Sequence, residues 1–174
     1  ARLDWFFPPL PEGAARILES LSSSSIPLWF ALLAFAVTPA VCEELAFRGF
    51  ILSGFSRSKR KWLAISLSAL AFGIVHMIPQ QVFNATLLGL VLGLIVIYSR
   101  SLYPAVLFHF TFNALQIVRG NIGAEWVKIG PAEWFFFDDG GMVRYQWPTL
   151  LIAAAVSIVL LRWLVSQPVE ESSA

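Results

Sequence analysis

The chain has 174 residues, of which 57% are hydrophobic and only 13% are charged, and its formal net charge is +1. Soluble domains carry about 25% charged residues, so this composition argues against an ordinary soluble domain. The small net charge gives no indication of a nucleic-acid partner, and the single cysteine excludes an internal disulfide.

Apolar stretches long enough to cross a hydrocarbon core define the predicted elements. The five stretches cover residues 26–42, 62–78, 82–98, 102–118 and 148–164. None of them alternates as the strands of a membrane barrel do, and only helices and closed barrels satisfy the backbone in lipid. We therefore expect an all-α fold, a polytopic transmembrane helical bundle of about five spans, embedded in a lipid bilayer.

The remaining segments divide the chain into four predicted parts. Residues 1–25 form an interfacial N-terminal segment, 26–118 the membrane core that holds the site, 119–147 an extramembrane loop, and 148–174 the final span and tail. The aromatic residues of the loop are typical of an interfacial belt, and a lid or a substrate-docking edge is the alternative. The chain begins with Ala and lacks a signal sequence, so we expect it to be processed or part of a longer protein.

Two local features predict how the helices are shaped and packed. Gly89 and Gly93 stand four residues apart in the third span, a spacing that allows close helix approach and indicates packing rather than chemistry. Pro39 lacks the amide hydrogen that an α-helix uses, which predicts a kink in the first span. We expect that span to continue past Glu43 to about Ser53.

Two adjacent carboxylates and an arginine follow the first apolar run, in the order Glu43, Glu44 and Arg48. Charges at bilayer depth are costly and usually face a protein interior or a wet cavity. On a helix, Glu44 and Arg48 are i,i+4 neighbours and can neutralise each other. Glu43 points about 100° away and has no local partner, which makes it the candidate for chemistry.

The two histidines of the chain lie in later apolar runs. His76 stands four residues after Phe72, and Asn113 four residues after His109, so each pair shares one helical face. Three helices can then bring Glu43, both histidines and Asn113 to one point. Polar residues in membrane bundles often only hydrogen-bond between helices, and that is the alternative, but this combination favours a site.

These residue types together predict acyl transfer to water. A carboxylate beside an imidazole can polarise a water molecule and accept its proton as the water attacks a carbonyl carbon. The oxyanion that forms needs hydrogen-bond donors, which a histidine N–H and an asparagine amide supply. Glu43 with His76 fits the first role, and His109 with Asn113 fits the second. The predicted reaction is peptide hydrolysis inside the membrane.

The ordered motifs resemble the CPBP family, which contains the type II CaaX prenyl endopeptidases and the bacteriocin-processing or immunity proteins of the Abi group. The likeness covers roughly residues 26–116. It rests on Glu43-Glu44-x-x-x-Arg48, Phe72-x-x-x-His76 and His109-x-x-x-Asn113. The resemblance implies a glutamic intramembrane endopeptidase with Glu43 as general base, His76 as its partner, and His109 and Asn113 on the oxyanion side.

The resemblance also implies the surroundings of this site. Glu44 and Arg48 orient and support it, Phe72 is a further supporting residue, and no metal or other cofactor takes part. The implied substrate is a peptide or protein, membrane-associated and lipidated ones included. The implied location is a bacterial inner (plasma) membrane, with the chain as a multi-pass integral protein.

Three alternatives stay open at this point. A zinc protease would use Glu43, His76 and His109 as ligands with water in the fourth position, although an HExxH motif is missing. A thiol protease would use Cys42, but no base is placed beside it, and a cysteine more simply packs as a small apolar residue. A non-catalytic immunity or scaffolding protein, or a transporter-associated domain, would keep the motifs without turnover.

Overall fold

The computed structural model describes residues 12–13, 26–56, 60–121, 127, 130–139 and 142–166. Five helices dominate this part of the chain. Helix α1 runs from Leu28 to Ser56 and is followed by α2 (Lys61–Ile74), α3 (Pro79–Ser99), α4 (Tyr103–Asn121) and α5 (Trp147–Ser166). The predicted helical fold class is confirmed. The predicted interfacial segment 1–25 and the tail after 166 lie outside the described residues, apart from Glu12 and Gly13.

All five predicted apolar stretches are helices, and three of them are long and apolar enough to cross a membrane. These are Leu28–Phe55 of α1, together with α3 and α5. Helix α2 is apolar but has only 14 residues. Helix α4 has 19 residues, and polar side chains such as His109 and Asn113 lower its hydropathy. Neither α2 nor α4 is among the three described helices that are long and apolar enough to cross a membrane by length and composition alone.

The outer surface of the bundle is apolar, as a bilayer requires. Helix α5 shows this most clearly, because none of its residues is buried although nearly all are apolar. Leu151 and Val159 are 68% and 64% exposed. A helix that is apolar all round and uncovered by protein is stable in lipid and unfavourable in water.

Helix α1 is not α-helical throughout, because two parts of it are π-helical. Its π-helical parts are Leu33–Val37 and Leu45–Leu52, and the rest is α-helical. Pro39 follows the first π-helical part, and because proline has no amide hydrogen the ladder loses a bond there. The Leu33 carbonyl accepts from both the amide and the hydroxyl of Thr38, the latter at 2.9 Å. The irregularity expected at Pro39 therefore appears as π-helical winding, and the helix continues past Ser53.

Helices α2 and α3 form the most extensive helix–helix contact, because glycines remove side chains from their interface. A Cβ atom built on Gly89 would lie 2.9 Å from the Cα atom of Ala69. A Cβ atom built on Gly93 would lie 3.0 Å from Cγ2 of Ile65. The packing role predicted for the two glycines of α3 is confirmed.

Gly73 on α2 belongs to the same contact, and we expect Gly73→Ala to destabilise the bundle by about 1–3 kcal/mol through overpacking. A Cβ atom there would meet the Thr86 side chain and would lie 2.8 Å from the Val82 carbonyl oxygen, so the two helices must separate. Gly54→Ala is the matched control, because nothing lies within 4 Å of its Cβ position. Denaturant unfolding in detergent, followed by circular dichroism, compares them. Equal stability of both variants would contradict the tight contact.

Helix α2 ends before the predicted span 62–78 does, and this changes the position of His76. The helix ends at Ile74, and Met77 adopts a left-handed φ of 60°. The Ile78 amide donates to the His76 carbonyl at 2.6 Å, so the chain reverses over Met77. Pro79 begins α3, where its missing amide hydrogen is no loss. His76 therefore lies in a turn and not on a helical face.

The loop before α5 contains a β-hairpin that the sequence did not predict. A 3₁₀ turn, Gly130–Trp134, leads into β1 (Phe136–Asp139), which pairs antiparallel with β2 (Met142–Tyr145). The register pairs Phe136 with Tyr145, Phe137 with Arg144, Asp138 with Val143 and Asp139 with Met142. Trp134 and Trp147, which flank the hairpin, are 72% and 65% exposed, as residues of an interfacial belt are.

Candidate active site

The site is built on a buried ion pair within α1. Arg48 Nη1 donates to Glu44 Oε1 at 2.9 Å, and both side chains are 0% exposed, which confirms the predicted i,i+4 pairing. Arg48 Nη2 donates to the Gly89 carbonyl on α3 at 3.2 Å. The guanidinium also lies over the Phe72 ring of α2, 4.5 Å from its centroid, in a cation–π contact. One arginine thus holds three helices together.

The π-helical winding of α1 and the close approach of α3 allow Arg48 and its neighbours to contact α2 and α3. Arg48 lies in the π-helical part Leu45–Leu52, a type of winding that frequently marks functional sites. In the same part, the Phe47 carbonyl accepts a hydrogen bond of 2.8 Å from the Ser68 hydroxyl of α2. The Gly89 carbonyl is within reach of Arg48 because the glycine brings the α3 backbone close to its neighbours.

His109 of α4 joins the two carboxylates of α1. Its Nδ1 atom lies 2.9 Å from Glu44 Oε1, and its Nε2 atom lies 3.6 Å from Glu43 Oε2. An ionised carboxylate only accepts hydrogen bonds, so His109 donates one to Glu44 from its Nδ1–H group. The longer distance exceeds a hydrogen bond, so Glu43 and Nε2 are neighbours without a direct bond.

The two glutamates differ in how much of each is open to the surroundings. The Glu44 side chain is 0% exposed, whereas the Glu43 side chain is 31% exposed. Glu44 is enclosed by its contacts with Arg48 and His109, so its oxygens have no surface open to the surroundings. Glu43 is the carboxylate that a water molecule and a peptide can approach.

Phe72 is the aromatic residue that both histidines contact. Its ring makes edge-on contacts with Phe47, His76 and His109, with centroid separations of 5.2, 5.0 and 5.6 Å. The Phe72 side chain is 0% exposed, so its position is determined by packing on all sides. It therefore limits the rotation of both imidazole rings.

His76 and Asn113 lie at the margin of this cluster. The Nδ1 atom of His76 is 2.9 Å from the Phe72 carbonyl oxygen, so Nδ1–H donates and Nε2 remains available. Among the described residues no ion pair joins His76 to Glu43, and the histidine beside Glu43 is His109. Asn113 is half-buried one helical turn after His109, and its amide makes no hydrogen bond within the described part of the chain.

Sequence reasoning missed two contacts of the site, the Gly89 carbonyl and the Ser68 hydroxyl. Every residue has a main-chain carbonyl, so the sequence does not indicate which one accepts a hydrogen bond. Only the close-packing glycine motif pointed to the bond from Arg48 to Gly89. Ser68 did carry a signal, because it stands four residues before Phe72 and so shares its helical face.

The described residues do not form a ready metal site. No group of three histidine, cysteine or acidic side chains within them is arranged to hold an ion. Glu44 Oε2 and Arg48 Nε are buried without a hydrogen-bond partner in this part of the chain. An oxygen beside a guanidinium is a poor ligand for a cation because the positive charges repel. Cys42 is exposed and forms no disulfide.

Comparison with known proteins links this constellation to a family. A family model described as type II CAAX prenyl endopeptidase Rce1-like matches residues 25–115, which is more than half of the chain. The matched stretch contains all the site residues from Glu43 to Asn113. The comparisons with curated proteins and with solved structures found no match.

Proposed function

The chain belongs to the Rce1-like family of type II CAAX prenyl endopeptidases, and we propose that it hydrolyses peptide bonds with a water molecule that Glu43 activates. Family membership makes it an integral membrane protein and a CAAX-type endopeptidase. The observation that supports the proposed mechanism is the position of Glu43. It is the partly exposed carboxylate beside His109, whereas Glu44 is enclosed by Arg48 and the same imidazole.

In the proposed reaction Glu43 is the general base. It accepts a proton from a water molecule as the water oxygen attacks the carbonyl carbon of the scissile bond, and the carbonyl oxygen becomes an oxyanion. When the intermediate collapses, the C–N bond breaks and the proton held by Glu43 passes to the leaving amine. A positioned acid–base group of this kind contributes about 10²–10⁴-fold to a rate.

The remaining polar groups serve as hydrogen-bond donors and acceptors in this proposal. His76 uses its Nε2 atom, which makes no hydrogen bond among the described residues, to hold the water next to Glu43. His109 and Asn113 donate to the oxyanion. For that role the Nε2 atom of His109, which lies on the Glu43 side of the ring, has to carry the hydrogen that it donates.

The proposed mechanism is glutamic and metal-independent, with zinc hydrolysis as the alternative. Two features of the described residues support it. The site lacks a set of three side chains arranged around one ion. The Asn113 amide also has no hydrogen-bond partner among the described residues. It could donate to an oxyanion, whereas a zinc site would give it no role.

Metal removal separates this mechanism from its zinc alternative. We expect rigorous chelation to leave the cleavage rate nearly unchanged, because Glu43 accepts the proton of water directly and the oxyanion is held by N–H donors. In a zinc site chelation would instead abolish activity, because the ion would activate the water and polarise the carbonyl. Loss of activity on chelation, recovery with zinc, and a nearly wild-type Asn113→Ala variant would together refute the glutamic mechanism.

A peptide cleavage assay in proteoliposomes tests the proposed function. We expect the purified chain to remove the C-terminal tripeptide from a peptide that ends in a prenylated CAAX sequence. In ¹⁸O-labelled water, mass spectrometry should find the label in the new carboxyl group. The unprenylated peptide in the same vesicles shows whether the lipid is recognised. A folded protein that cleaves neither peptide would instead support a non-catalytic immunity or scaffolding role.

The location of this membrane protein in a bacterial inner membrane stays a prediction.

A further inference from the structure

A cavity of about 430 Å³ lies between the C-terminal part of α4 and the β-hairpin. This volume falls within the range of about 300–1,000 Å³ that is usual for small-molecule sites. Leu115, Val118 and Arg119 of α4 line one side, and residues of the hairpin such as Val143 and Tyr145 line the other. Apart from the guanidinium and the tyrosine hydroxyl, the side chains that line this cavity are apolar.

The cavity is separate from the catalytic cluster, although α4 contributes to both. Successive residues of an α-helix are rotated by about 100°, so Val118 lies about 180° round the helix from His109. Arg119 lies about 80° round from His109 by the same count. The catalytic face of α4 packs against α1, where His109 contacts Glu44. A substrate held at Glu43 therefore does not extend directly into the cavity.

The charge and the surroundings of the cavity define what it accepts. Arg119 is the charged residue of its lining, half-buried in the last turn of α4, with its guanidinium 5.7 Å from the centroid of the Tyr145 ring. A guanidinium presents paired donors that match the oxygens of a phosphate. Trp134 and Trp147 are strongly exposed beside the hairpin, as aromatic residues at the headgroup level of a bilayer are.

We propose that this cavity binds one acyl chain of an anionic phospholipid, and that Arg119 holds the phosphate of its headgroup. The apolar lining takes the hydrocarbon, and Arg119, the charged residue among the described residues that line the cavity, selects the negative charge. A bilayer lipid reaches such a cavity by lateral diffusion without crossing water. This inference concerns a site apart from the peptidase residues and does not rest on the proposed reaction.

Native mass spectrometry of the protein released from nanodiscs tests this proposal. The nanodiscs contain phosphatidylglycerol and phosphatidylcholine in equal amounts. We expect the wild type to retain one phosphatidylglycerol. Arg119→Gln should lower its preference over phosphatidylcholine by about tenfold, the effect of about 1.4 kcal/mol. Arg162→Gln is the matched control, because Arg162 is exposed on α5. If both arginine variants keep the wild-type preference, the headgroup assignment is wrong.

A second variant tests the acyl-chain part independently of charge. Ala132 lines the cavity, so Ala132→Trp should fill it and remove the retained lipid, whereas Leu151→Trp on lipid-facing α5 should not. Circular dichroism confirms that both variants are folded, and Val118→Phe, at another apolar residue of the lining, serves if Ala132→Trp prevents folding. Displacement of the lipid by millimolar inorganic phosphate would indicate a simple anion site and overturn the proposal. Displacement by a prenylated peptide would assign the cavity to substrate and overturn it as well.

Discussion

Glu43→Gln should greatly slow peptide hydrolysis without loss of folded protein, whereas Glu44→Gln should lower the yield of folded protein. A glutamine amide at position 43 cannot accept the proton of water, so kcat should fall by about 10²–10⁴-fold. Little stability should be lost, because Glu43 is 31% exposed and makes no direct hydrogen bond to His109. At Glu44, the same substitution leaves the buried charge of Arg48 without its partner and should lower the free energy of unfolding by about 3–5 kcal/mol.

The measurement pairs the cleavage rate with the yield of monodisperse protein after detergent extraction. Glu133→Gln is the matched control for both, because this exposed carboxylate lies in the turn before the hairpin. The double variant Glu44→Gln with Arg48→Gln removes both buried charges and should recover part of the yield. If Glu43→Gln lost yield as severely as Glu44→Gln, the assignment of one structural and one catalytic carboxylate would be wrong.

Asn113→Ala should lower kcat by about 10²–10³-fold, the usual effect of removing one oxyanion donor. The change in KM should be small, because the interaction forms mainly in the transition state. Stability should also change little, because the amide has no hydrogen-bond partner within the described residues. Gln116→Ala is the matched control, since it removes an exposed amide from the next turn of the same helix. Steady-state kinetics on the prenylated peptide measure both constants, and an unchanged kcat would remove Asn113 from the oxyanion site.

Local sequence patterns were sufficient for the helices and for the ion pair. Each of the five apolar stretches forms a helix because continuous apolar sequence has to satisfy its backbone internally in lipid. Glu44 and Arg48 pair because a spacing of four residues brings side chains together on any helix. Gly89 and Gly93 pack closely because they leave the α3 backbone bare. All three predictions depend on neighbours in sequence, so no tertiary information was needed.

The arrangement of the histidines around Glu43 was decided only by the tertiary structure. The sequence placed His76 on a helix as the partner of Glu43, but α2 ends at Ile74 and His76 lies in the turn over Met77. His109 lies beside Glu43 instead, and its Nδ1–H donates a hydrogen bond to the Glu44 carboxylate. Which imidazole approaches a carboxylate depends on where a helix ends and how two helices are rotated about their axes. Residue spacing within one helix does not specify either of these.

The hairpin and the cavity beside it also had no counterpart in the sequence prediction. Strands β1 and β2 read Phe-Phe-Asp-Asp and Met-Val-Arg-Tyr, and neither alternates polar and apolar residues as a half-buried strand does. The cavity joins side chains of α4 to side chains more than ten positions later, such as Val143. The sequence by itself therefore determined the class of the fold and the residue types of the site. The packing of distant segments determined which atoms meet, because those contacts depend on relative positions that local sequence leaves open.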